Sequence, residues 1–271
     1  MLTEKSVAEY EEKGYLNAGP VISESEVDEL RDELDRVLED RDAGTPQPVR
    51  ITRAGSDEIY FWQVVNIWQA SRPFLKLLFN QKVVEAVAQL YGASQLRVWH
   101  DQIQYKPPRT GGKNMWHQDH PYWDLIVPET QLSAWIPLDD VDESNGCMSM
   151  VAGSYRWGNQ IKFVHSLDSF DAMPAAFEGN EVKVEVRSVR KGEVHFHHSH
   201  TWHGSPENRS ERPRRAIAIH YMTEDTRYTD KGNHIMKPYV EVEDGEILAG
   251  KYFPLVWDQG RAMKPEEVPL P

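Results

Sequence analysis

Cysteine is almost absent from this chain: Cys147 is the single one in 271 residues, which excludes an internal disulfide and any cysteine-based zinc ribbon or finger. A reducing compartment suits such a sequence. No stretch approaches the run of about 18 uncharged apolar residues that a membrane span requires. The opening MLTEKSVAEYEEKG carries charge where a secretory signal would carry an apolar core. The expectation is a soluble, cytoplasmic protein with no membrane partner. Basic residues are in deficit: 43 Asp and Glu against 30 Lys and Arg leave a formal charge of −13. The footprint that exchanges counterions with a phosphate backbone is missing, and nucleic acid is not an expected partner. Internal repeats and low-complexity tracts are absent as well. What is there is ordinary globular composition, 39% apolar with 17 Gly and 17 Pro, long enough for one large core and read as a single domain over 1–271.

Two helices open the chain, within 3–40. One runs from about Thr3 to Lys13 and stops at Gly14. The second follows Ser23, which makes a capping box with Glu26 and leads a stripe of Val27, Leu30, Leu34, Val37 and Leu38 at helical spacing. Residues 40–58 are polar and broken by Gly and Pro, so they read as an exposed loop. YFWQVVNIW then begins a strand-like run. Pro73 suits the first turn of a helical segment over 73–91 that Gly92 closes. Beyond Leu96, short runs such as QLRVWHDQIQYK, QLSAWIPLDDV, EVHFHH and RRAIAIHYM alternate with turn-forming clusters. That rhythm predicts an antiparallel β-sandwich or barrel over about 96–225, followed by a C-terminal extension, 226–271, of loops and short strands.

Eleven histidines are distributed unevenly, five of them in HFHHSHTWH at positions 195, 197, 198, 200 and 203. A His-rich strand is equally compatible with a polar sheet face. In WHQDHPYW, His117 and Asp119 are one residue apart, which on a strand sends both side chains to one face, where they could share a metal. About one such pair is expected by chance in a chain of this composition. The downstream His203 adds the third member of a two-histidine, one-carboxylate triad, the set that holds non-heme Fe(II) with positions left open. The spacing from His203 to Arg214 implies a turn through Gly204 and Pro206, with His203 ending one strand and Arg214 beginning the next.

These segments, taken in order with YKPP, AWIPLDDVDESNGCM, GSYRWG and HGSPENRS…PRRAIAIHY, resemble the phytanoyl-CoA dioxygenase family of Fe(II)- and 2-oxoglutarate-dependent oxygenases. The resemblance spans most of the chain. It implies a mainly β fold with flanking α-helices, a double-stranded β-helix or jelly-roll barrel, with Fe(II), 2-oxoglutarate and O2 as cofactor and cosubstrates. It makes His117, Asp119 and His203 the metal ligands and catalytic centre, and Arg214 the partner of the distal 2-oxoglutarate carboxylate, assisted by Ser205. Lys106, Gln104 and Trp135 match cosubstrate-pocket positions, and Trp123, Trp116 and His200 are candidates for the substrate pocket. The family's usual Pro-Gly-Ser-His turn is replaced by Ala152, Gly153, Ser154 and Tyr155. Asp119 speaks against a halogenase, since relatives that bind chloride on iron lack this carboxylate.

The implied reaction is hydroxylation of an unactivated C–H bond of a small-molecule metabolite, with succinate and CO2 released. Tyr60, Phe61, Trp62, Trp68, Trp116, Tyr122 and Trp202 are candidates to wall a substrate pocket. One of Arg50, Arg53, Arg109 and Arg156 could clamp a carboxylate or phosphate. Loops 40–58 and 158–182 are long enough to serve as a lid. A non-redox cupin-type metalloenzyme is the nearest alternative, but its Glu after His-x-His is replaced here by Thr201, Trp202, Gly204 and Ser205. A non-catalytic jelly-roll binding module is the other, and it would show degenerate ligands where this chain keeps all three and Arg214.

Overall fold

The computed structural model describes residues 1–269 and 271. Helix α1 (Glu4–Lys13) starts at Thr3, whose side chain accepts from the Ser6 amide, and ends at Gly14 in the left-handed conformation. It turns directly into strand β1 (Tyr15–Pro20), and α2 (Glu24–Glu39) follows with the expected Ser23–Glu26 capping box. The whole predicted stripe, Val27, Leu30, Leu34, Val37 and Leu38, is buried. Strands β2 (Arg50–Gly55) and β3 (Tyr60–Val65) form a hairpin, and α3 (Arg72–Leu78) and α4 (Gln81–Tyr91) precede β4 (Gln95–Lys106). The chain continues through β5 (Asn114–His117), β6 (Ile126–Val127), β7 (Leu132–Pro137), β8 (Met148–Val151), α5 (Ile161–His165), β9 (Ala176–Phe177), β10 (Asn180–Glu181) and β11 (Val184–Arg187). Last come β12 (Glu193–His198), β13 (His203–Ser205), β14 (Arg214–Thr223), β15 (Arg227–Tyr228), β16 (Leu255–Asp258) and β17 (Arg261–Ala262).

Two antiparallel sheets make the jelly roll. The larger has the order β1-β12-β7-β14-β4-β16-β17, with the β2–β3 hairpin joined to β4 through β3, and the smaller has the order β11-β8-β13-β5. Along β14, Ile217, Ile219 and Tyr221 face the helices and share one core with Leu30, Leu34, Phe74, Val83 and Val87, while Ala216 and Ala218 face the other sheet beside Trp135, Met148 and Met150. This is the period-two division a sheet with both faces covered requires. A bulge at Trp99 shifts the β4–β14 register between His220 and Tyr221. Past it, His100, Gln102 and Gln104 point into the space between the sheets.

The two N-terminal helices stand where they are expected, and the segment between them is strand β1, paired with β12, Tyr15 opposite His197. Two expectations need correction. The stretch 40–58 is not all loop: Arg50–Gly55 is the outer strand of a hairpin. The sheet is also wider than 96–225, since β16 of the C-terminal extension pairs with β4. No helix among the described residues is long and apolar enough to cross a membrane.

Candidate active site

A cavity of about 550 Å³ opens between the sheets, with walls from β3, β4 and β14 on one side and β5, β8 and β13 on the other. His117 ends β5 and His203 begins β13, directly across from it in the ladder. His203 thus begins a strand instead of ending one as its spacing to Arg214 implies, and the turn to Arg214 follows β13. Asp119 is not on the strand at all. The backbone turns helical at Asp119, held by its N–H donating 2.8 Å to the Ser199 carbonyl. That turn, rather than strand alternation, brings the carboxylate to the two rings.

Asp119 Oδ1 lies 3.7 Å from His117 Nε2 and 3.5 Å from His203 Nε2. The remaining polar atoms of the cluster are committed elsewhere. His117 Nδ1 donates to the Met115 carbonyl at 2.7 Å and His203 Nδ1 to the Thr201 carbonyl at 2.9 Å. Both Nε2 lone pairs therefore face Asp119, the tautomer a metal-binding imidazole needs. Asp119 Oδ2 accepts from Ser133 Oγ at 2.9 Å and from His197 Nε2 at 3.2 Å, so Oδ1 alone is turned toward the rings. Burial would raise the Asp119 carboxyl, but His203 and the His197 bond outweigh it and hold the group well below its ordinary value. Burial, then repulsion from His203, pushes His117 down to about 4, and burial also lowers His203. An anionic oxygen and two neutral imidazoles converge. Their ligand atoms lie within 4.8 Å of one another, which suits a divalent cation.

Arg214 supplies the second feature. It is fully buried, its guanidinium carbon stands 4.9 Å from the Trp135 ring, and Nε, Nη1 and Nη2 have no hydrogen-bond partner among the described residues. Burial lowers it only to about 10, so it stays cationic at neutral pH. A buried cation without a counterion costs several kcal/mol unless an anion completes it. A planar fork with every N–H free is the complement of a carboxylate, so the residues present fit 2-oxoglutarate as well as a metal.

The other expected residues divide. Gln104, Ser205, Trp135, Trp123 and Trp116 all line the cavity. Lys106 does not: its ammonium donates to the Ser205 carbonyl, Ser205 Oγ and the Pro206 carbonyl. Its three hydrogens are used, so it braces Ser205 instead of meeting a cosubstrate. His200 is also outside; its Nε2 pairs with Glu129 at 2.8 Å, and Gln118 bonds its Nδ1 and carbonyl. Of the aromatic candidates Phe61, Trp116 and Tyr122 reach the cavity, whereas Trp68 and Trp202 belong to apolar cores. Arg50 is the arginine that lines it. Arg53 lies over Tyr60, Arg109 pairs with Glu211, and Arg156 bonds the Glu11 and Glu12 carbonyls. Each of the two proposed lid loops places one residue in the wall, Arg50 and His165. No motif in the sequence marks Ser133, which bonds Asp119, or His220, His100, His234, Gln63 and Gln102, which line the cavity. For His100 and Gln102 a signal existed, the alternation of His100, Gln102 and Gln104 along one strand.

A jelly roll that holds a His-Asp-His cluster in its cavity, with a buried arginine that has no partner among the described residues packed behind the cavity-lining Trp135, defines the class of non-heme iron, 2-oxoglutarate-dependent oxygenases. The family profile described as Phytanoyl-CoA dioxygenase (PhyH) matches residues 10–216, and the chain belongs to this family. Peroxisomal phytanoyl-CoA dioxygenase of Bos taurus is 23% identical over 287 residues, covering 96% of this chain and 82% of the relative. Among solved structures, the non-heme alpha-ketoglutarate-dependent carbocyclase SnoK from nogalamycin biosynthesis matches with a TM-score of 0.75 at 29% identity, over 94% of this chain and 96% of that one. The epimerase SnoN, solved with Fe3+, alpha-ketoglutarate and nogalamycin RO, matches at 0.70 and 23% identity over 93% and 97%, a likeness of fold. The protein is a dioxygenase that uses iron, 2-oxoglutarate and O2.

Proposed function

We propose that His117, Asp119 and His203 hold the iron, that Arg214 and Ser205 bind the distal carboxylate of 2-oxoglutarate, and that the enzyme hydroxylates a C–H bond of a small-molecule metabolite. The observation that carries this reading is the pairing of the convergent ligand atoms with a buried guanidinium that has no hydrogen-bond partner among the described residues. Held by these residues, iron would supply the coupled oxidation in which O2 gives one oxygen atom to 2-oxoglutarate, released as succinate and CO2, and the other to the substrate C–H bond as a hydroxyl. The protein's residues do the rest. Met115 and Thr201 carbonyls fix the two imidazole tautomers. Ser133 and His197 hold the Asp119 carboxylate in one orientation. Lys106 fixes the Ser205 hydroxyl, and Trp135 packs against Arg214, keeping water from the ion pair and strengthening it. Gln104 and Trp135 line the cosubstrate side of the cavity, and Trp116 and Trp123 the substrate side. We read 1–271 as one oxygenase domain, apart from Leu270, which lies outside the described residues. A reducing, cytoplasmic setting is supported by the single buried free thiol of Cys147.

An anaerobic titration of the metal-free protein with Fe(II) and then 2-oxoglutarate tests the assignment. A visible charge-transfer band is expected, abolished in His203→Ala and weakened in Arg214→Ala. A band that survives His203→Ala would assign the metal elsewhere.

A further inference from the structure

The cavity wall is poor in carboxylates although the chain is rich in them. Of 43 Asp and Glu, Asp119 is the one that lines it, and its Oδ1 belongs to the metal cluster. Two cations, Arg50 and Lys113, line it as well. Arg53 pairs with Asp57 and Arg109 with Glu211, whereas Arg50 and Lys113 pair with no carboxylate among the described residues. In the loaded site Fe(II) and Arg214 would balance Asp119 and the two carboxylates of 2-oxoglutarate, so the charges of Arg50 and Lys113 stay unanswered. A cleft lined by one sign of charge concentrates ligands of the other.

Strand register places one of these cations. Arg50 stands across from Val65 of β3, which stands across from Gln102 of β4. Residues in register share a face, so Arg50 and Gln102 are carried on the same side, and both line the cavity. Arg50 is exposed and marks its rim. Lys106 pairs with Arg214, and Gln102 with Ala218, four residues farther along both strands, a displacement of about 13 Å at 3.3 Å per residue. The rim cation is therefore separate from the one assigned to 2-oxoglutarate. His234, from the C-terminal extension, lines the same cavity. Its Nδ1 accepts from the Met236 amide at 3.2 Å, so its proton sits on Nε2. The ring is only half-buried, and that N–H is not sealed from solvent and has no partner among the described residues. Burial lowers His234 to about 4, with Asp124 opposing and the nearby charge of Arg50 adding to the fall. At neutral pH the ring is thus an uncharged donor beside a guanidinium. Asp124 itself accepts from the Asn233 amide and is not part of the wall.

We propose that Arg50 and His234 form the substrate-recognition subsite, and that the substrate is an anionic small molecule whose carboxylate or phosphate accepts from the Arg50 guanidinium and from His234 Nε2–H. Both groups only donate, which suits an oxyanion. The body of the molecule then lies inward, against Phe61, Tyr122 and Trp123 of the wall. Both recognition residues come from additions to the jelly roll, the β2–β3 hairpin and the C-terminal extension, so selectivity is carried outside the barrel that holds the metal cluster. Anchoring the anion at the rim sets which C–H bond faces His117, Asp119 and His203, and in that role the subsite rests on the oxygenase reading.

The test compares 2-naphthoate, 2-naphthyl phosphate and the neutral 2-naphthamide by anaerobic calorimetric titration into the full chain loaded with Fe(II) and saturating 2-oxoglutarate, which keeps Arg214 occupied. One anion at least is expected to bind about tenfold or more tightly than the amide, because charge-assisted hydrogen bonds are about twice as strong as neutral ones. Which of the two wins separates a carboxylate from a phosphate substrate. Arg50→Met should erase the preference for charge and Arg50→Lys should restore part of it. His234→Phe should reduce it, and His234→Gln, whose amide N–H can donate in place of Nε2–H, should restore most of the loss. Lys113→Met, which removes the same charge from elsewhere on the wall, should leave the preference in place. An independent reading comes from the wild-type metal-free chain with 15N-labelled histidine: the preferred anion, and not the amide, should shift the His234 Nε2–H resonance. Equal binding of anions and amide, no binding by any of the three, a preference that survives Arg50→Met, or an unmoved His234 resonance would each overturn the subsite. A normal charge-transfer band alongside any of these leaves the oxygenase reading standing. Absence of the band removes that reading, and with it the subsite's orienting role.

Discussion

Arg214 shows at the scale of one residue how function is set against stability. Its guanidinium is buried with three nitrogens unpaired among the described residues, an arrangement that packing alone would not favour. Replacing it with Met, of similar length and no charge, should raise the stability of the metal-free protein by about 1–4 kcal/mol, since an uncompensated buried ion is removed. The same change should weaken 2-oxoglutarate binding about 100-fold, the loss of a charge-assisted bidentate pair. Thermal unfolding and cosubstrate titration measure the two effects, and a destabilised Arg214→Met protein would show that the cation has a protein partner. The proposed ligand residues and Arg214 are marked in the sequence by motifs that occur in a recognisable order, and the fold brings the three ligand side chains together. Ser133 and His197, which orient Asp119, are not: their roles exist only because β7 and β12 lie side by side with Ser133 opposite His197, and no local pattern reports a cross-strand pair. His200 misled for the matching reason, as its neighbour in sequence, Ser199, is what touches the Asp119 backbone.

At the scale of elements, helices were read with better boundaries than strands because their ends are marked locally. Thr3 and Ser23 accept the capping bonds and Gly14 and Gly92 close their helices in the left-handed region. Strand β1 carries no such mark. YLNAGP looks like a linker, and its partner β12 lies more than 170 residues away, so its extended form is fixed by tertiary pairing. The same dependence on neighbours governs β13, which carries both His203 and Ser205 on three residues. Between them, Gly204 passes so close to β5 that an added Cβ would stand 3.0 Å from the Asn114 carbonyl oxygen and from Phe170 Cε2, and 3.2 Å from the Trp116 nitrogen. Gly204→Ala must push β13 off β5 by a few tenths of an ångström. The expected result is a stability loss of about 1–3 kcal/mol, as for overpacking elsewhere, together with weaker binding of both Fe(II) and 2-oxoglutarate, since one displacement moves His203 and Ser205 alike. Unfolding and the anaerobic titration read these separately; unchanged affinities for both would mean the strand has slack.

For the whole molecule, the relevant fact is that an acidic chain, with formal charge −13, encloses neutral imidazoles. Burial is the first cause in each case. It pushes His117 and His234 down to about 4, and His198 and His220 to about 3. In the unfolded chain these rings titrate near 6.5. Between that value and about 4 the unfolded state binds protons the folded state refuses, so stability falls as pH falls through this window. At pH 5 each ring costs about 2 kcal/mol as an upper bound, 1.36 kcal/mol for each pH unit below 6.5. Relief of surface repulsion among the carboxylates acts in the opposite direction, but exposed charges are screened beyond about 8 Å at physiological ionic strength and the imidazoles are buried. The metal-free protein is therefore expected to lose melting temperature steadily from pH 7 to pH 5. Bound Fe(II) stabilises only the native state, and the proposed ligands His117 and His203 must be neutral to take it, so the shift in Tm produced by a fixed Fe(II) concentration should be largest near pH 7 and shrink toward pH 4. Calorimetry across this range, with and without Fe(II), decides the matter. A flat metal-free profile would mean that the rings titrate in the fold as they do in the unfolded chain, near 6.5, so that protons would compete for the metal-binding lone pairs already below about pH 6.5.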